Sequence, residues 1–126
     1  MAKKILIVDD EPNIVKMVVS RLQANGYDVL SAHGGKEGLE KCKLYKPDAV
    51  ILDIMMPDID GTAVAEKLKE DPDTSSIPIL FLTAAVRSSE LPNNQKIGGH
   101  YILAKPFIAE ELLRMLKRIL LVPEGN

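Results

Sequence analysis

The stretch Ala49-Val-Ile-Leu-Asp53 decides the fold class, because four apolar residues run without interruption and end on a carboxylate. Two similar runs, Ile5-Leu-Ile-Val8 and Ile79-Leu-Phe-Leu82, occur elsewhere in the chain. A strand that is apolar on both faces is buried on both faces, as in a parallel sheet covered by helices. The sequence therefore predicts an α/β domain with a parallel sheet at its centre.

Outward from these runs, strand and helix patterns alternate along the chain. Strands are predicted at Lys4–Val8, Asp28–Ala32, Ala49–Ile54, Ile77–Leu82 and Tyr101–Ala104. Helices are predicted from Pro12 to just before Gly26 and at Lys36–Tyr45, Thr62–Glu70 and Ala109–Leu121. Parallel strands joined by right-handed crossovers give a doubly wound sheet between two layers of helices. We therefore expect a three-layer αβα domain.

The stretch Ser88–Gly98 is the least regular part of the chain. The alternation of elements predicts a fourth helix there, but Pro92 would cost ~3 kcal/mol inside a helix. That helix therefore starts near Pro92 or is frayed, with Ile97 as its apolar anchor. This segment is where the strand and helix pattern gives the weakest prediction.

Composition excludes several classes of protein. The 126 residues are 46 % hydrophobic and 27 % charged, with a net charge of −2, as expected for one globular domain over residues 1–126 with an ordered core of about 3–121. This charge provides no field for direct nucleic-acid binding, and no apolar run is long enough for a membrane span. The single cysteine excludes an internal disulfide, and we expect a cytoplasmic location. Gly34-Gly35 lacks the spacing of a phosphate-binding loop and is interpreted as a turn.

Charged and hydroxyl side chains follow four of the five predicted strands. Asp9 and Asp10 follow the first strand, Asp53 the third, Thr83 the fourth and Lys105 the fifth. Because ligands bind parallel sheets at the carboxyl ends of the strands, we expect these side chains to meet at one edge. Each placement alone is explained by a solvated strand end or a helix N-cap, but the four together are not. The sequence therefore predicts a functional site at this edge.

The residue types at this edge favour phosphoryl transfer. Three close carboxylates repel one another unless a cation joins them, and Mg²⁺ together with Lys105 would balance their charge. Carboxylates, Mg²⁺, a lysine and a hydroxyl are the groups needed to transfer a phosphoryl group to an aspartate. Asp53 is the predicted nucleophile because it stands alone on a central strand. Of Asp9 and Asp10, one would hold the ion directly and the other through water.

These motifs resemble the receiver domain of two-component response regulators, of the chemotaxis-regulator type. The matching stretches are Ile5–Pro12, Val50–Gly61, Ile79–Ala84 and Ala104–Phe107. The resemblance implies a flavodoxin-like fold with a five-stranded parallel sheet in the order 2-1-3-4-5. It further implies that Asp53 is a phosphoacceptor, and that the domain is no enzyme beyond its own phosphorylation and dephosphorylation.

The resemblance also implies individual roles. The Mg²⁺ ligands would be Asp9, Asp10, Asp53 and the backbone carbonyl of Met55. Thr83 would move to bond a phosphoryl oxygen, Lys105 would pair with the phosphoryl group, and the peptide bond between Lys105 and Pro106 would be cis. Pro57 and Gly61 would shape the loop after Asp53, with Gly61 acting through its permissive backbone.

The sequence departs from the family at two sets of positions. The family usually has an aromatic residue three positions before the lysine, whereas here Ile102 stands there and Tyr101 lies one residue earlier. One step along a strand reverses the face, so we expect the usual coupling between Thr83 and this aromatic to be altered or absent. Met55 and Ala85 occupy positions that tune dephosphorylation. Neither offers water a hydrogen bond, which predicts a persistent phosphoryl group.

The resemblance implies partners as well. A histidine kinase or a histidine phosphotransfer protein would phosphorylate Asp53, and a downstream protein or an output domain would respond. The responding face would comprise the fourth predicted helix, the fifth predicted strand and the fifth predicted helix, which would also serve a homodimer. No direct nucleic-acid or membrane contact is expected.

Two alternatives to this interpretation remain open. In the first, the chain would be the N-terminal receiver of a longer DNA-binding regulator. In the second, it would be a Mg²⁺-dependent phosphatase with an Asp nucleophile. Phosphatases of the haloacid-dehalogenase type place Asp-x-Asp after the first strand and cover it with a cap domain, whereas this first strand ends in Asp-Asp-Glu. A flavin carrier is disfavoured, because three acids would repel the flavin phosphate.

Overall fold

A computed structural model describes residues 2–84, 96–97 and 100–121 of the chain. The strands are β1 (Lys4–Val8), β2 (Asp28–Ala32), β3 (Ala49–Asp53), β4 (Ile79–Thr83), β5 (Lys96–Ile97) and β6 (His100–Ala104). The helices are α1 (Pro12–Ala24), α2 (Gly35–Tyr45), α3 (Gly61–Glu70) and α4 (Ala109–Leu121). The fifth predicted strand and the fifth predicted helix therefore correspond to β6 and α4.

The strands form one sheet in the order β2-β1-β3-β4-β6-β5. The first five strands of this order pair in parallel with their neighbours. This confirms the five-stranded parallel sheet and its predicted order, 2-1-3-4-5. The two-residue β5 adds an antiparallel pairing at the outer edge of β6.

The fourth predicted helix is wrong at its carboxyl end. Lys96 and Ile97 were expected to be helical, but they form β5, in which Lys96 pairs with Tyr101 and Ile97 with His100. This pairing with a strand that lies close in the sequence overrides the local helix pattern. The remainder of the predicted helix, residues 85–95, lies outside the described residues.

The sheet is covered on both faces, as the continuous apolar runs predict. One core cluster lies between the sheet and helices α1 and α4, and includes Ile7, Ile51, Leu82, Val18 and Leu116. The other lies between the sheet and helices α2 and α3, and includes Val8, Leu52, Phe81, Cys42 and Leu68. Alternate residues of β1, β3 and β4 enter opposite clusters, so these strands need apolar side chains on both faces.

The first helix begins and ends as the sequence predicts. Pro12 occupies the first turn of α1, where its missing N–H costs nothing. The helix ends at Asn25, and Gly26 follows with φ +87°, a left-handed conformation that favours glycine. Among the described helices, none combines the length and the apolar character that crossing a bilayer requires.

Candidate functional site

Three aspartates meet at the carboxyl ends of β1 and β3. Asp9 directly follows β1 and is fully buried, Asp53 is the last residue of β3 and is 3 % exposed, and Asp10 is exposed to solvent. Each offers a carboxylate oxygen, and these oxygens lie within 4.8 Å of one another. Because β1 and β3 are adjacent and parallel, their carboxyl ends reach the same edge of the sheet. We call Asp9, Asp10 and Asp53 the acid pocket.

Lys105 reaches into the acid pocket from the end of β6. Its side-chain nitrogen lies 2.9 Å from Asp9 Oδ2 and 3.5 Å from Asp53 Oδ2. The backbone N–H of Lys105 donates to the carbonyl of Thr83 at 2.8 Å, which extends the pairing of β6 with β4 by one residue. The peptide bond between Lys105 and Pro106 is cis, as predicted. The lysine thus supplies the positive charge of the pocket.

The electrostatics of the pocket shift the acidity of Asp53 and Lys105. Burial and the negative charge of Asp9 together raise the pKa of the Asp53 carboxyl to about 6, against the opposing charge of Lys105. Burial opposes the charge of Lys105, but its hydrogen bonds to Glu11 and Asp9 and the negative charge around it outweigh burial and raise its pKa. Lys105 therefore remains protonated, whereas Asp53 titrates just below neutral pH.

The donor set of the acid pocket suits a hard divalent cation. Asp9 Oδ2 is buried, and apart from its ion pair with Lys105 it accepts no hydrogen bond within the described part of the chain. A buried carboxylate oxygen without a hydrogen bond is costly, and a bound cation would satisfy it. Oxygen ligands from several carboxylates are the ligands that Mg²⁺ and Ca²⁺ prefer.

The loop between β3 and α3 is fixed at both ends. The N–H of Met55 donates to Asp53 Oδ1 at 3.3 Å, and the N–H of Gly61 donates to the carbonyl of Ile54 at 2.7 Å. A Cβ at Gly61 would overlap the carbonyl oxygen of Asp53 and lie 2.8 Å from Ile54 Cα. Gly61 is therefore needed for close approach and not for a left-handed backbone, which corrects the predicted reason for this glycine. Pro57 lies exposed in the same loop.

A comparison with models of protein families identifies the family of this chain. The family model described as the response regulator receiver domain matches residues 5–117, which is most of the chain and includes all of the pocket. The chain belongs to this family. Members of the family are receivers in two-component signal transduction, and in general they transmit a signal without being enzymes.

Full-length relatives are about twice as long as this receiver. The chain is 38 % identical over 120 residues to the alkaline phosphatase synthesis transcriptional regulatory protein PhoP of Bacillus subtilis, an alignment that covers 95 % of this chain and 49 % of PhoP. It is 37 % identical over 117 residues to the DNA-binding dual master transcriptional regulator RpaA of Synechocystis, covering 93 % of this chain and 48 % of RpaA. The chain therefore spans about half the length of the curated relatives it matches.

Solved receiver structures share the fold. The chemotaxis response regulator CheY4 of Vibrio cholerae superimposes with a TM-score of 0.83 at 33 % identity, covering 94 % of this chain and 99 % of CheY4. The receiver domain of the sensor histidine kinase PA1611 of Pseudomonas aeruginosa gives a TM-score of 0.81 at 26 % identity, covering 95 % of this chain and 98 % of the PA1611 domain. The latter contains a magnesium ion coordinated in its active site cleft.

The predicted switch residues of this receiver divide between the two faces of the sheet. Thr83, at the end of β4, is 2 % exposed. Tyr101 pairs with Leu80 and packs in the α1 and α4 cluster, whereas Ile102 pairs with Phe81 and is buried in the α2 and α3 cluster. The pairing of β6 with β4 runs in register to Thr83 and Ala104 without a bulge, so Tyr101 and Ile102 point to opposite faces as predicted. Pro106 lies exposed beyond β6.

Glu11 is a member of the site that sequence reasoning missed. Its Oε1 lies 2.8 Å from the side-chain nitrogen of Lys105, and its N–H donates to Asp9 Oδ1 at 2.9 Å. The signal was present as the third acid of the run Asp9-Asp10-Glu11, but an acid after a strand is equally well explained by a solvated strand end or a helix N-cap. Glu11 adds a negative charge that holds Lys105 at the mouth of the pocket.

Proposed function

We propose that Asp53 is the phosphoacceptor of this receiver. The observation that carries the proposal is the buried Asp53 carboxylate beside Asp9, with the side-chain nitrogen of Lys105 3.5 Å from its Oδ2. Asp10 is exposed, and both oxygens of Asp9 have close partners, the N–H of Glu11 at 2.9 Å and the side-chain nitrogen of Lys105 at 2.9 Å. The matching contacts of Asp53 are longer, at 3.3 Å from the N–H of Met55 and 3.5 Å from Lys105. Of the three carboxylates, Asp53 is therefore the one best placed to react.

The proposed reaction uses groups that already surround Asp53. A carboxylate oxygen of Asp53 attacks the phosphorus of the phosphodonor, the bond between phosphorus and the donor breaks, and the donor leaves with that electron pair. Lys105 offsets the charge of the phosphoryl oxygens, and the Thr83 hydroxyl moves to donate a hydrogen bond to one of them. Hydrolysis then returns the Asp53 carboxylate and inorganic phosphate. The chain promotes only this cycle on itself.

Mg²⁺ is the proposed cofactor. Its ligands would be Asp9, Asp10, Asp53 and the backbone carbonyl of Met55. When bound, the ion neutralises negative charge on the carboxylates and on the phosphoryl oxygens. The buried Asp9 Oδ2, whose one partner among the described residues is the ion pair with Lys105, supports this assignment, and Met55 is adjacent to the pocket because its N–H already bonds Asp53.

The proposed partners follow from His-to-Asp signalling. A histidine kinase or a histidine phosphotransfer protein would supply the phosphoryl group in the cytoplasm. Phosphorylation would shift the conformational population of a face that contains β6 and α4, together with the fourth predicted helix, most of which lies outside the described residues. This shift would control a downstream protein, an output domain or a homodimer. We propose that residues 1–126 form one receiver domain with a folded core of about 3–121, and that this domain contacts neither nucleic acid nor a membrane directly.

One observation favours the alternative that the receiver belongs to a longer regulator. The chain covers 49 % of PhoP and 48 % of RpaA, and the latter is described as DNA-binding. In that case DNA binding resides outside these 126 residues, and the phosphorylated face acts on an attached output domain.

Intact mass spectrometry tests the proposed phosphoacceptor. The protein is incubated with Mg²⁺ and acetyl phosphate as wild type, as Asp53→Asn and as Asp28→Asn. Asp28 is a suitable control because it is an exposed aspartate at the amino end of β2, the opposite edge of the sheet. We expect the mass of one phosphoryl group on wild type and Asp28→Asn, none on Asp53→Asn, and none on any protein after chelation. Equal modification of Asp53→Asn would refute the assignment.

A further inference from the structure

The N-terminus of α2 is capped by a side chain from a distant loop. Gly34, the N-cap residue, provides no side-chain hydrogen bond to the helix. Instead the Asp58 carboxylate accepts from the N–H of Gly35 at 3.0 Å and from the N–H of Lys36 at 3.1 Å. Unpaired N–H groups and the positive end of the helix dipole both favour a carboxylate at this position. Asp58 thus joins α2 to the loop that follows Asp53.

The Gly34-Gly35 pair leaves the space for this contact. A Cβ at Gly35 would lie 2.8 Å from Ile59 Cβ and 3.0 Å from the Ile59 carbonyl oxygen. A Cβ at Gly34 would lie 3.0 Å from Asp58 Oδ2. The two glycines therefore let the β3–α3 loop lie directly against the first turn of α2. This gives a physical reason for a motif that the phosphoacceptor chemistry does not require.

The contact divides the β3–α3 loop into two short anchored parts. At its start, the N–H of Met55 bonds the Asp53 carboxylate, and at its end the N–H of Gly61 bonds the Ile54 carbonyl. Asp58 lies between these two anchors, only three residues after Met55. The middle of the loop is thus held by α2 and not by the sheet. Motion of Asp58 would be transmitted to Met55 through a very short segment.

We propose that Asp58 is a positioning residue for the phosphoacceptor: by binding the first turn of α2, it fixes the loop that aligns the Met55 backbone with the Asp53 carboxylate. The proposal rests on the proposed function of Asp53. Hydrogen bonds from the N–H groups of Lys36 and Gly35 also lower the pKa of Asp58 to about 2, so this carboxylate is charged throughout the neutral range. The contact between Asp58 and the first turn of α2, which we call the clamp, is therefore retained across that pH range.

Three variants perturb the clamp from its two sides. Asp58→Ala removes both hydrogen bonds, Asp58→Asn retains one acceptor oxygen, and Gly35→Ala pushes Ile59 and its loop away from the helix. Asp71→Ala is the matched control, because Asp71 Oδ1 accepts one backbone N–H, from Asp73 at 2.9 Å, at the far end of α3. This control removes a comparable local hydrogen bond without touching the β3–α3 loop.

The first readout is hydrogen exchange of the Met55 amide in the unmodified protein. We expect it to accelerate about tenfold or more in Asp58→Ala and Gly35→Ala, by less in Asp58→Asn, and to remain at the wild-type rate in Asp71→Ala. The second readout is the initial rate of phosphorylation by acetyl phosphate at saturating Mg²⁺. We expect a three- to tenfold decrease in Asp58→Ala, partial rescue in Asp58→Asn, and no decrease in Asp71→Ala.

The two readouts separate failure of this inference from failure of the proposed function. If Asp58→Ala and Gly35→Ala leave both the Met55 amide and the phosphorylation rate within twofold of Asp71→Ala, the positioning role is overturned although Asp53 is still modified. If wild type is not modified at all, the proposed function fails, and exchange of the Met55 amide alone then decides whether the clamp fixes the loop. If Asp58→Ala does not fold, Asp58→Asn and Gly35→Ala give the same comparison.

Discussion

The acid pocket and the outer strand β6 differ in how firmly the fold determines their side chains. β1 and β3 each lie between two parallel strands and are buried along almost their whole length. β6 is bordered on its outer side only by the two-residue β5, and His100 and Tyr101 at its start remain partly exposed. The pocket is thus set by the centre of the sheet, whereas the predicted switch residues Tyr101 and Ile102 lie near its edge.

The two regions therefore depend on different features of the sequence. In the pocket, burial fixes the position of a central strand in the sheet. An acid at the carboxyl end of that strand therefore reaches the site. On β6, a shift of one residue decides which cluster a side chain enters, because successive side chains face opposite sides. Tyr101 and Ile102 therefore enter opposite clusters, with the aliphatic Ile102 on the face of Phe81.

Removing Lys105 should have the largest effect on the pocket. Lys105→Ala leaves Asp9 and Asp53 as buried acids without a counter-charge, which we expect to cost about 3 kcal/mol in free energy of unfolding at pH 8 without metal. Some phosphorylation by acetyl phosphate should remain, but the phosphorylation-dependent change of the β6 face should be lost. Lys41→Ala, which breaks a partly exposed ion pair with Glu37 and a hydrogen bond to the carbonyl of Ser31, should cost only about 1 kcal/mol. Chemical denaturation and amide spectra of the phosphorylated proteins measure both effects. A loss no larger in Lys105→Ala than in Lys41→Ala would contradict this view of the pocket.

The pH dependence of stability should come next in size. The pKa of Asp53 is raised from 3.8 to about 6 in the fold. The stabilisation that results from holding this proton is therefore complete below about pH 4 and is lost as the pH rises through 6. Asp53→Asn has no proton to lose. We therefore expect it to be more stable than wild type by about 1–3 kcal/mol at pH 8 in chelator, with little difference at pH 4. Denaturation at both pH values measures the change. A wild type that gains stability relative to Asp53→Asn between pH 4 and pH 8 would show that the sign is wrong.

A smaller effect is expected from the register of β6. Thr83 and Ile102 belong to the face of the α2 and α3 cluster, and Tyr101 to the other face. Phosphorylation should shift the methyl signals of Ile102 while leaving the ring signals of Tyr101 almost unchanged, and Tyr101→Phe should respond like wild type. Ile102→Tyr adds bulk beside Phe81 and should cost about 1–2 kcal/mol of stability. Nuclear magnetic resonance of the Ile102 methyl groups and the Tyr101 ring measures these shifts. Larger shifts for Tyr101 than for Ile102 would mean that the usual coupling survives the change of register.

Much of the fold and the acid pocket could be predicted because both follow from local patterns. Continuous apolar runs identify central strands, and Asp9 and Asp53 follow or end such runs, whereas Lys105 follows the shorter apolar run of the outer strand. The end of the fourth predicted helix was wrong because Lys96 and Ile97 are paired by the adjacent strand, and a two-residue strand has no periodicity to read. Propensity alone does not identify such tertiary pairing.

The contacts that were missed join residues far apart in sequence. Asp58 binds the first turn of α2 from 22 and 23 residues away, and Glu11 meets Lys105 across 94 residues. From the sequence, neither Asp58 nor Glu11 could be assigned a partner, because the neighbouring residues do not indicate which distant group each of them contacts. Gly34-Gly35 showed where the backbone turns, but only the structure shows which loop lies against it.

Chemical localisation of the modification tests the central claim most directly. An acyl phosphate is reduced by borohydride to an alcohol, so a phosphorylated aspartate becomes homoserine, which peptide sequencing by mass spectrometry locates. After acetyl phosphate and Mg²⁺ treatment, we expect homoserine at position 53 and at no other aspartate, in proportion to the phosphorylated fraction. Homoserine at Asp9 or Asp10, or a phosphoryl group that survives borohydride on Thr83, would contradict the assignment of Asp53 as the phosphoacceptor.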